Sequence, residues 1–379
     1  MPMADTLDVD VAIVGGGCAG LALASRLAVA GGPSCVVLEA KPAFEDDRTW
    51  CFWDSGELAR WGLVPDAAWD SWCLRLGDRE IVHRSPGHRY VCVSARSFYE
   101  THLARIARAG SVRVAMDSPV ARIGEDGLIT LADASRLGVR ARQVFDARPP
   151  TPTPGSLVQH FEGWEIETDD AVFDPSRVVL MDFEAGGGPE VVFLYVLPFS
   201  SRRALVEATV LSRHPWPVDR YRASILGYLG RRFGLGDGGF TVRRRERGVL
   251  PMEPARVPSP GPAIRIGSAS GASKMSSGYA FPFIQAQVTA LADAILAGGS
   301  LSETVRRNPL LAWMDGVFVD VLKRDPQSAP DLFYRMFRGT TGGRFARFMM
   351  EQPSPGDLLA VVASLPTLPF LRAAARRAA

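Results

Sequence analysis

The chain has only five cysteines, at positions 18, 35, 51, 73 and 92. Their count is odd, and they offer neither metal-ligand spacing nor a C-x-x-C pair. That excludes a disulfide scaffold and a disulfide reductase, and leaves buried or reduced thiols of a cytoplasmic protein. No apolar run reaches the roughly 18 residues a spanning helix requires. The acidic N-terminus lacks a cationic n-region, so no signal peptide is expected. A net charge of +2, with basic residues almost all arginine, makes no case for nucleic acid, and no binding motif supplies one. The five histidines (83, 88, 102, 160 and 214) are scattered without ligand or nucleophile spacing, and no metal site is expected. The 379 residues, 47% hydrophobic and 22% charged, suit one large or two to three smaller folded domains.

What is present is concentrated at the start. Val9–Val14 reads as a buried strand, Gly15-Gly16-Gly17-Cys18-Ala19-Gly20 matches G-x-G-x-x-G, and Leu21–Ala30 continues as an Ala/Leu helix. Gly31-Gly32-Pro33 stops that helix, and Cys35–Leu38 forms a second strand ending in Glu39. Gly15 permits the tight turn, Gly17 lets backbone approach a pyrophosphate, and Gly20 lets helix and strand close up. The helix N-terminus, at Cys18 and Ala19, offers free N–H groups and partial positive charge to phosphates. Glu39 stands about 20 residues on, where an acid meets ribose hydroxyls. Strand, glycines, helix, strand and acid in order predict a dinucleotide site. No second complete fingerprint follows. Gly234–Gly239 imitates one, but comes after a helix end at Tyr228–Phe233. FAD is therefore favoured over a stably bound nicotinamide nucleotide.

Farther along, Trp50, Trp53, Trp61, Trp69 and Trp72 fit either core packing or an aromatic wall beside an apolar, cationic substrate. Asp146-Ala147-Arg148 closes a short strand, at the edge where ligands bind in open α/β sheets. Pro149–Pro154 reads as a hinge, followed by strands at Leu157–Phe161, Val178–Phe183, Val191–Leu197 and Ala204–Leu211. Residues 218–233 and 240–247 read as a helix and a basic strand. Ala263–Ile266 leads through a Gly/Ser-rich loop starting at Gly267 into a helix over Pro282–Leu296, a second strand–loop–helix unit. The pattern from Leu301 onward is helical. On a strand, Leu205, Glu207, Thr209 and Leu211 share one face, so Glu207 has mostly apolar neighbours. Burial there would raise its pKa and allow it to donate a proton.

Several stretches resemble the flavoprotein lycopene cyclases of bacteria and plants. They are Arg48–Asp54 (RTWCFWD), Tyr90–Val93 (YVCV), Phe145–Arg148 (FDAR), Met181-Asp182, residues 193–209 (FLYVLPFSSRRALVEAT), 246–252 (ERGVLPM), and Ser277–Pro282 (SGYAFP). Asp315–Phe318 and the Leu-Pro and Pro-Phe pairs of 365–370 extend the likeness across nearly the whole chain. The chain departs from the family's usual pattern at Lys274-Met275-Ser276, and at Glu207, which lacks an adjacent acid.

The resemblance implies an α/β fold: a Rossmann-like FAD-binding domain of glutathione-reductase type, a β-rich substrate domain and a helical C-terminal part. The corresponding boundaries are 1–149 with 246–300, then 150–245, then 301–379. It implies redox-neutral, acid-catalysed closure of the ends of lycopene or a related polyene to ionone-type rings. Reduced FAD would stabilise the cation, with NAD(P)H as transient reductant. Glu207 becomes the candidate acid, with Glu246 and Asp182 as further catalytic candidates. Arg48, Thr49, Asp146, Gly267, Gly278 and Tyr279 join Gly15, Gly17, Cys18, Ala19, Gly20 and Glu39 as candidate cofactor contacts. A flavin monooxygenase or desaturase acting on a terpenoid is the enzyme alternative, although Gly267-Ser268 lacks the acid of a GD-type loop. A FAD-containing carotenoid-binding protein is the non-enzyme alternative. Asp357–Ala379, ending in Arg372, Arg376 and Arg377, reads as a docked helix or an interfacial segment on anionic lipid. The expected location is cytoplasmic, at a membrane surface. Ring type, one- or two-end closure and oligomeric state stay open.

Overall fold

The computed structural model describes residues 6–133, 135, 138–183, 190–253, 261–299 and 307–378. Its first sheet is built on β1 (Thr6–Val14), whose last four residues are apolar and buried, as a central parallel strand requires. Strand order is β8 (Val112–Ala115), β2 (Cys35–Leu38), β1, β11 (Gly138–Asp146), β10 (Leu128–Leu131), β9 (Val120–Ile123); β17 (Ile264–Arg265) pairs with β11. The β8-β2-β1-β11-β17 part is parallel, and β9 and β10 are antiparallel. Helix α1 (Cys18–Val29) is buried along most of its length beneath α3 (Ala95–Ala109) and α5 (Phe281–Leu296). Ser94 caps α3 by accepting the Ser97 N–H, and Gly110 ends it in the left-handed conformation.

The second sheet runs β16 (Thr241–Pro251), β12 (Val158–Glu167), β15 (Arg203–Ser212), β14 (Val191–Pro198), β13 (Arg177–Phe183), β5 (Ser71–Leu76), β6 (Arg79–Arg84). It thus draws two strands from ahead of Pro149. Strand alternation divides its faces. Val206, Ala208 and Val210 pack toward α4 (Val218–Phe233), whereas Leu205, Glu207 and Thr209 face the molecule's interior. A small sheet of β3 (Thr49–Asp54), β7 (Arg89–Ser94) and β4 (Ala67–Trp69), with the one-turn α2 (Glu57–Arg60), closes one side.

The C-terminal part comprises α6 (Pro309–Arg324), α7 (Ala329–Arg338), α8 (Gly342–Met349), α9 (Pro355–Ser364) and α10 (Thr367–Ala378). The start of the helical pattern at Leu301 lies outside the described residues. α9 opens with a reciprocal cap between Ser354 and Asp357, and Arg347 beside Asp357 holds its carboxyl well below the usual range. α9 and α10 meet at 113° across Leu365-Pro366, where proline cannot continue the helix. Among the described residues no single helix is long and apolar enough to cross a membrane.

Candidate active site

The glycine loop leaves β1 at its C-terminal end. Gly15 has φ +99°, a left-handed value that a side chain would strain. A Cβ on Gly20 would lie 1.9 Å from the Gly15 carbonyl oxygen, so this glycine serves helix–strand contact. A Cβ on Gly17 would meet no protein atom within 4 Å. The space it would enter is open, and α1 begins there without a side-chain cap. Free N–H groups, at Cys18 and Ala19 among others, therefore face that space. Glu39 fixes the loop, accepting from the Gly16 N–H at 2.6 Å and the Lys41 N–H at 2.9 Å. These residues fit a dinucleotide.

The open space continues into a cavity of about 910 Å³. The interior face of the second sheet forms one wall, through Phe161, Leu180, Phe193, Tyr195 and Leu205. Trp50, Trp53, Tyr90, Tyr279 and Phe281 form another, and α6, α8, α9 and α10 close the far side. Of the five clustered tryptophans only Trp50 and Trp53 reach the cavity; Trp61, Trp69 and Trp72 are core. Tyr90 and Tyr195 share a 2.9 Å hydrogen bond between their hydroxyls, and the Tyr279 hydroxyl accepts from the Trp53 N–H at 3.1 Å. The result is an aromatic box.

Glu207 projects into this cavity from β15. Burial pushes its carboxyl up to about 8, the nearby Glu246 adds to the rise, and the Thr209 hydroxyl, donating at 2.6 Å, opposes it. Glu246 also lines the cavity, from β16, and accepts from Arg244 at 2.6 Å and Thr49 at 2.7 Å. Burial raises its pKa too, against the pull of Arg244. Asp182 is elsewhere. It lies on the α4 face, accepting from Tyr228 at 3.0 Å and Arg232 at 2.9 Å. The reason is a β-bulge: between Val179 and Met181, β13 gains one residue against β5. Leu180 and Met181 both turn to the cavity, and Asp182 is flipped away.

The chain matches the family described as "Lycopene cyclase protein" over residues 10–375. It belongs to the lycopene cyclase family. It is similar to a lycopene beta-cyclase from Paracoccus sp., 29% identical with 95% of each chain covered. It is also similar to a chloroplastic lycopene beta cyclase from an Oncidium hybrid cultivar, 27% identical over 81% of this chain and 67% of that one. Among solved structures, a flavoprotein/dehydrogenase from Cytophaga hutchinsonii shares the fold, with TM-score 0.64 and 16% identity over 98% and 100% of the two chains.

The family's other expected contacts divide into two groups. Arg48 lines the cavity beside Cys18, and Gly267, at φ +68°, donates its N–H to Gln287 at 2.8 Å where the second loop touches Ala19. Gly278, at φ +69°, leads directly to Tyr279 in the cavity wall. By contrast, Thr49 lines the cavity but engages Glu246, and Asp146, which is not in the lining, is buried against Arg148 at 2.9 Å. One cluster went unread in the sequence. Lys274, 1% exposed, donates to Asp315 at 2.7 Å, Ser276 donates to the same oxygen, and Arg307 bridges Asp315 and Glu351. Its signals were a lysine within a Gly/Ser loop, where the chain departs from the family pattern, and Asp315 in a stretch that resembles the family. Among the described residues no group of His, Cys, Asp or Glu could hold a metal ion.

Proposed function

We propose that this protein is a flavin-dependent lycopene cyclase that closes polyene ends without net oxidation. The observation carrying this reading is Glu207: a carboxyl inside an apolar, aromatic cavity that holds its proton at neutral pH. The step balances as an isomerisation. Glu207 gives its proton to a terminal double bond, a neighbouring double bond attacks the resulting cation, and a ring proton then leaves. Atoms are conserved, and no electron leaves the hydrocarbon.

The remaining residues suit a cationic intermediate. Trp53, Tyr90, Tyr195 and Tyr279 present π-faces and keep water out. The glycine loop, Cys18, Ala19 and Glu39 would hold FAD, with Arg48 and the Gly267 loop beside it. Bound in reduced form, FAD would supply negative charge near the polyene end, and NAD(P)H would serve only to reduce it. The uncapped N-terminus of α5, at Phe281, points positive charge into the same region.

The substrate class also requires an entrance from lipid. Trp313, Val362 and Leu371 line the cavity and yet are 41%, 57% and 61% exposed, so they mark its mouth. Leu359 and Leu368 extend the apolar rim, with exposed Arg372 and Arg376 alongside. Arg377 instead pairs with Asp320 at 2.6 Å and ties α10 to α6. This rim supports seating on a membrane surface through α9 and α10. Expression in a lycopene-accumulating host tests the function. Cyclic carotenoid is the expected product, and unchanged lycopene would refute the reading.

A further inference from the structure

Gly163 stands in the middle of β12, where glycine weakens a strand and packs nothing. Its backbone does not require glycine, because its φ is not in the left-handed range. Space does. β12 lies between β15 and β16, and the register sets Gly163 level with Glu207 on one side and Glu246 on the other. On β14, Tyr195 is level with Glu207. Glu246, Gly163, Glu207 and Tyr195 thus form one row across the sheet, on one face.

A Cβ at position 163 would lie 3.1 Å from Leu205 Cδ1, 3.2 Å from Glu246 Cγ and 3.4 Å from Glu207 Cβ. The Glu246 side chain therefore leans over the bare backbone beside the root of Glu207. In-register residues two strands apart would otherwise be held about 10 Å apart by the strand spacing. We propose that Gly163 is a positioning residue: by lacking a side chain it lets Glu246 and Glu207 close on each other as one coupled acid pair. The proposal rests on the reading of Glu207 as the proton donor.

The pair divides the labour. Arg244 and Thr49 hold Glu246 from one side, with Asp46 and Glu165 around the guanidinium. The remaining groups facing Glu207 are Thr209, which donates to it, and Tyr195, whose hydroxyl is engaged by Tyr90. The other charged groups of the cavity have partners of their own: Arg247 pairs with Glu162, Asp47 with Lys41 and, at 3.7 Å, Arg48, and Lys274 with Asp315. Repulsion from Glu246 thus adds to the burial that keeps the proton on Glu207, and its effect depends on the close approach that Gly163 permits.

The test is infrared titration of the protonated Glu207 carbonyl band in the flavin-loaded protein, the band being assigned by its loss in Glu207→Gln. In Gly163→Ala the new methyl pushes the Glu246 chain outward by a few tenths of an ångström. Weaker repulsion makes the Glu207 carboxylate less unfavourable, so the midpoint should fall by a few tenths of a pH unit. The turnover number should fall by about twofold on the alkaline side of the pH profile and little at neutral pH, with KM within about twofold. In a Glu246→Gln background the same alanine should add no further shift. An unchanged midpoint, or an equal shift without Glu246, would overturn the proposal. If Gly163→Ala does not accumulate folded, Gly163→Ala/Leu205→Val relieves the leucine contact and keeps the glutamate contact for the same measurement. Failure of the donor reading shows separately, as turnover retained in Glu207→Gln.

Discussion

Keeping Glu207 protonated inside the cavity leaves a signature in stability. Its carboxyl titrates near 8 in the folded chain against an ordinary 4.5. Between those values the folded state binds more protons than the unfolded one, so stability falls as pH rises, by about 1.4 kcal/mol per unit. Glu207→Gln removes this titration. Urea unfolding should find the variant gaining on the wild type steadily from pH 5 to pH 8, while its cyclisation is lost because an amide cannot donate the proton. A stability difference that stays flat across this range would mean that Glu207 is not a buried neutral acid. Glu207 was legible in the sequence because period-2 alternation places it between Leu205 and Thr209. Asp182 entered as a candidate through the family resemblance alone. Alternation groups it with Leu180, and only the bulge, a choice made by pairing with β5, separates them.

At the scale of elements, two glycines of one motif have opposite sensitivities. Gly20→Val should prevent folding, since even its Cβ would overlap the Gly15 carbonyl. Gly17→Val should fold, because its Cβ meets no protein atom and its φ of −76° suits any residue. It should nevertheless purify colourless, with flavin absorbance reduced at least about tenfold by obstruction of the pyrophosphate. Full flavin content in Gly17→Val would remove the loop from the cofactor site. This strand–loop–helix–strand unit was readable because each part is local: an apolar run, three glycines, an Ala/Leu helix. The second sheet was readable only in part. Its β14–β15 pairing joins consecutive strands, whereas β12 pairs with β15 across two intervening strands and the parallel pairing of β13 with β5 joins segments about a hundred residues apart, neither with a local mark. The α9–α10 rim gives a further test. Replacing Leu368 and Leu371 with glutamate should abolish sedimentation with anionic vesicles and leave soluble flavoprotein intact; unchanged sedimentation would place the membrane contact elsewhere.

At the scale of the whole molecule, the first sheet supplies a dinucleotide cradle, the second supplies two acids, and the C-terminal helices complete an apolar cavity between them. A flavoprotein of this shape could carry out an oxidation, and the claim that separates this account from that one is conservation of mass. The decisive measurement is mass spectrometry of the product formed in heavy water, without oxygen, by protein reduced once with dithionite. Because the proton comes from an exchangeable carboxyl, each new ring should carry one deuterium, no oxygen should be added, and many turnovers should follow the single reduction. Product that contains added oxygen, or turnover that stops after one product per flavin, would contradict it.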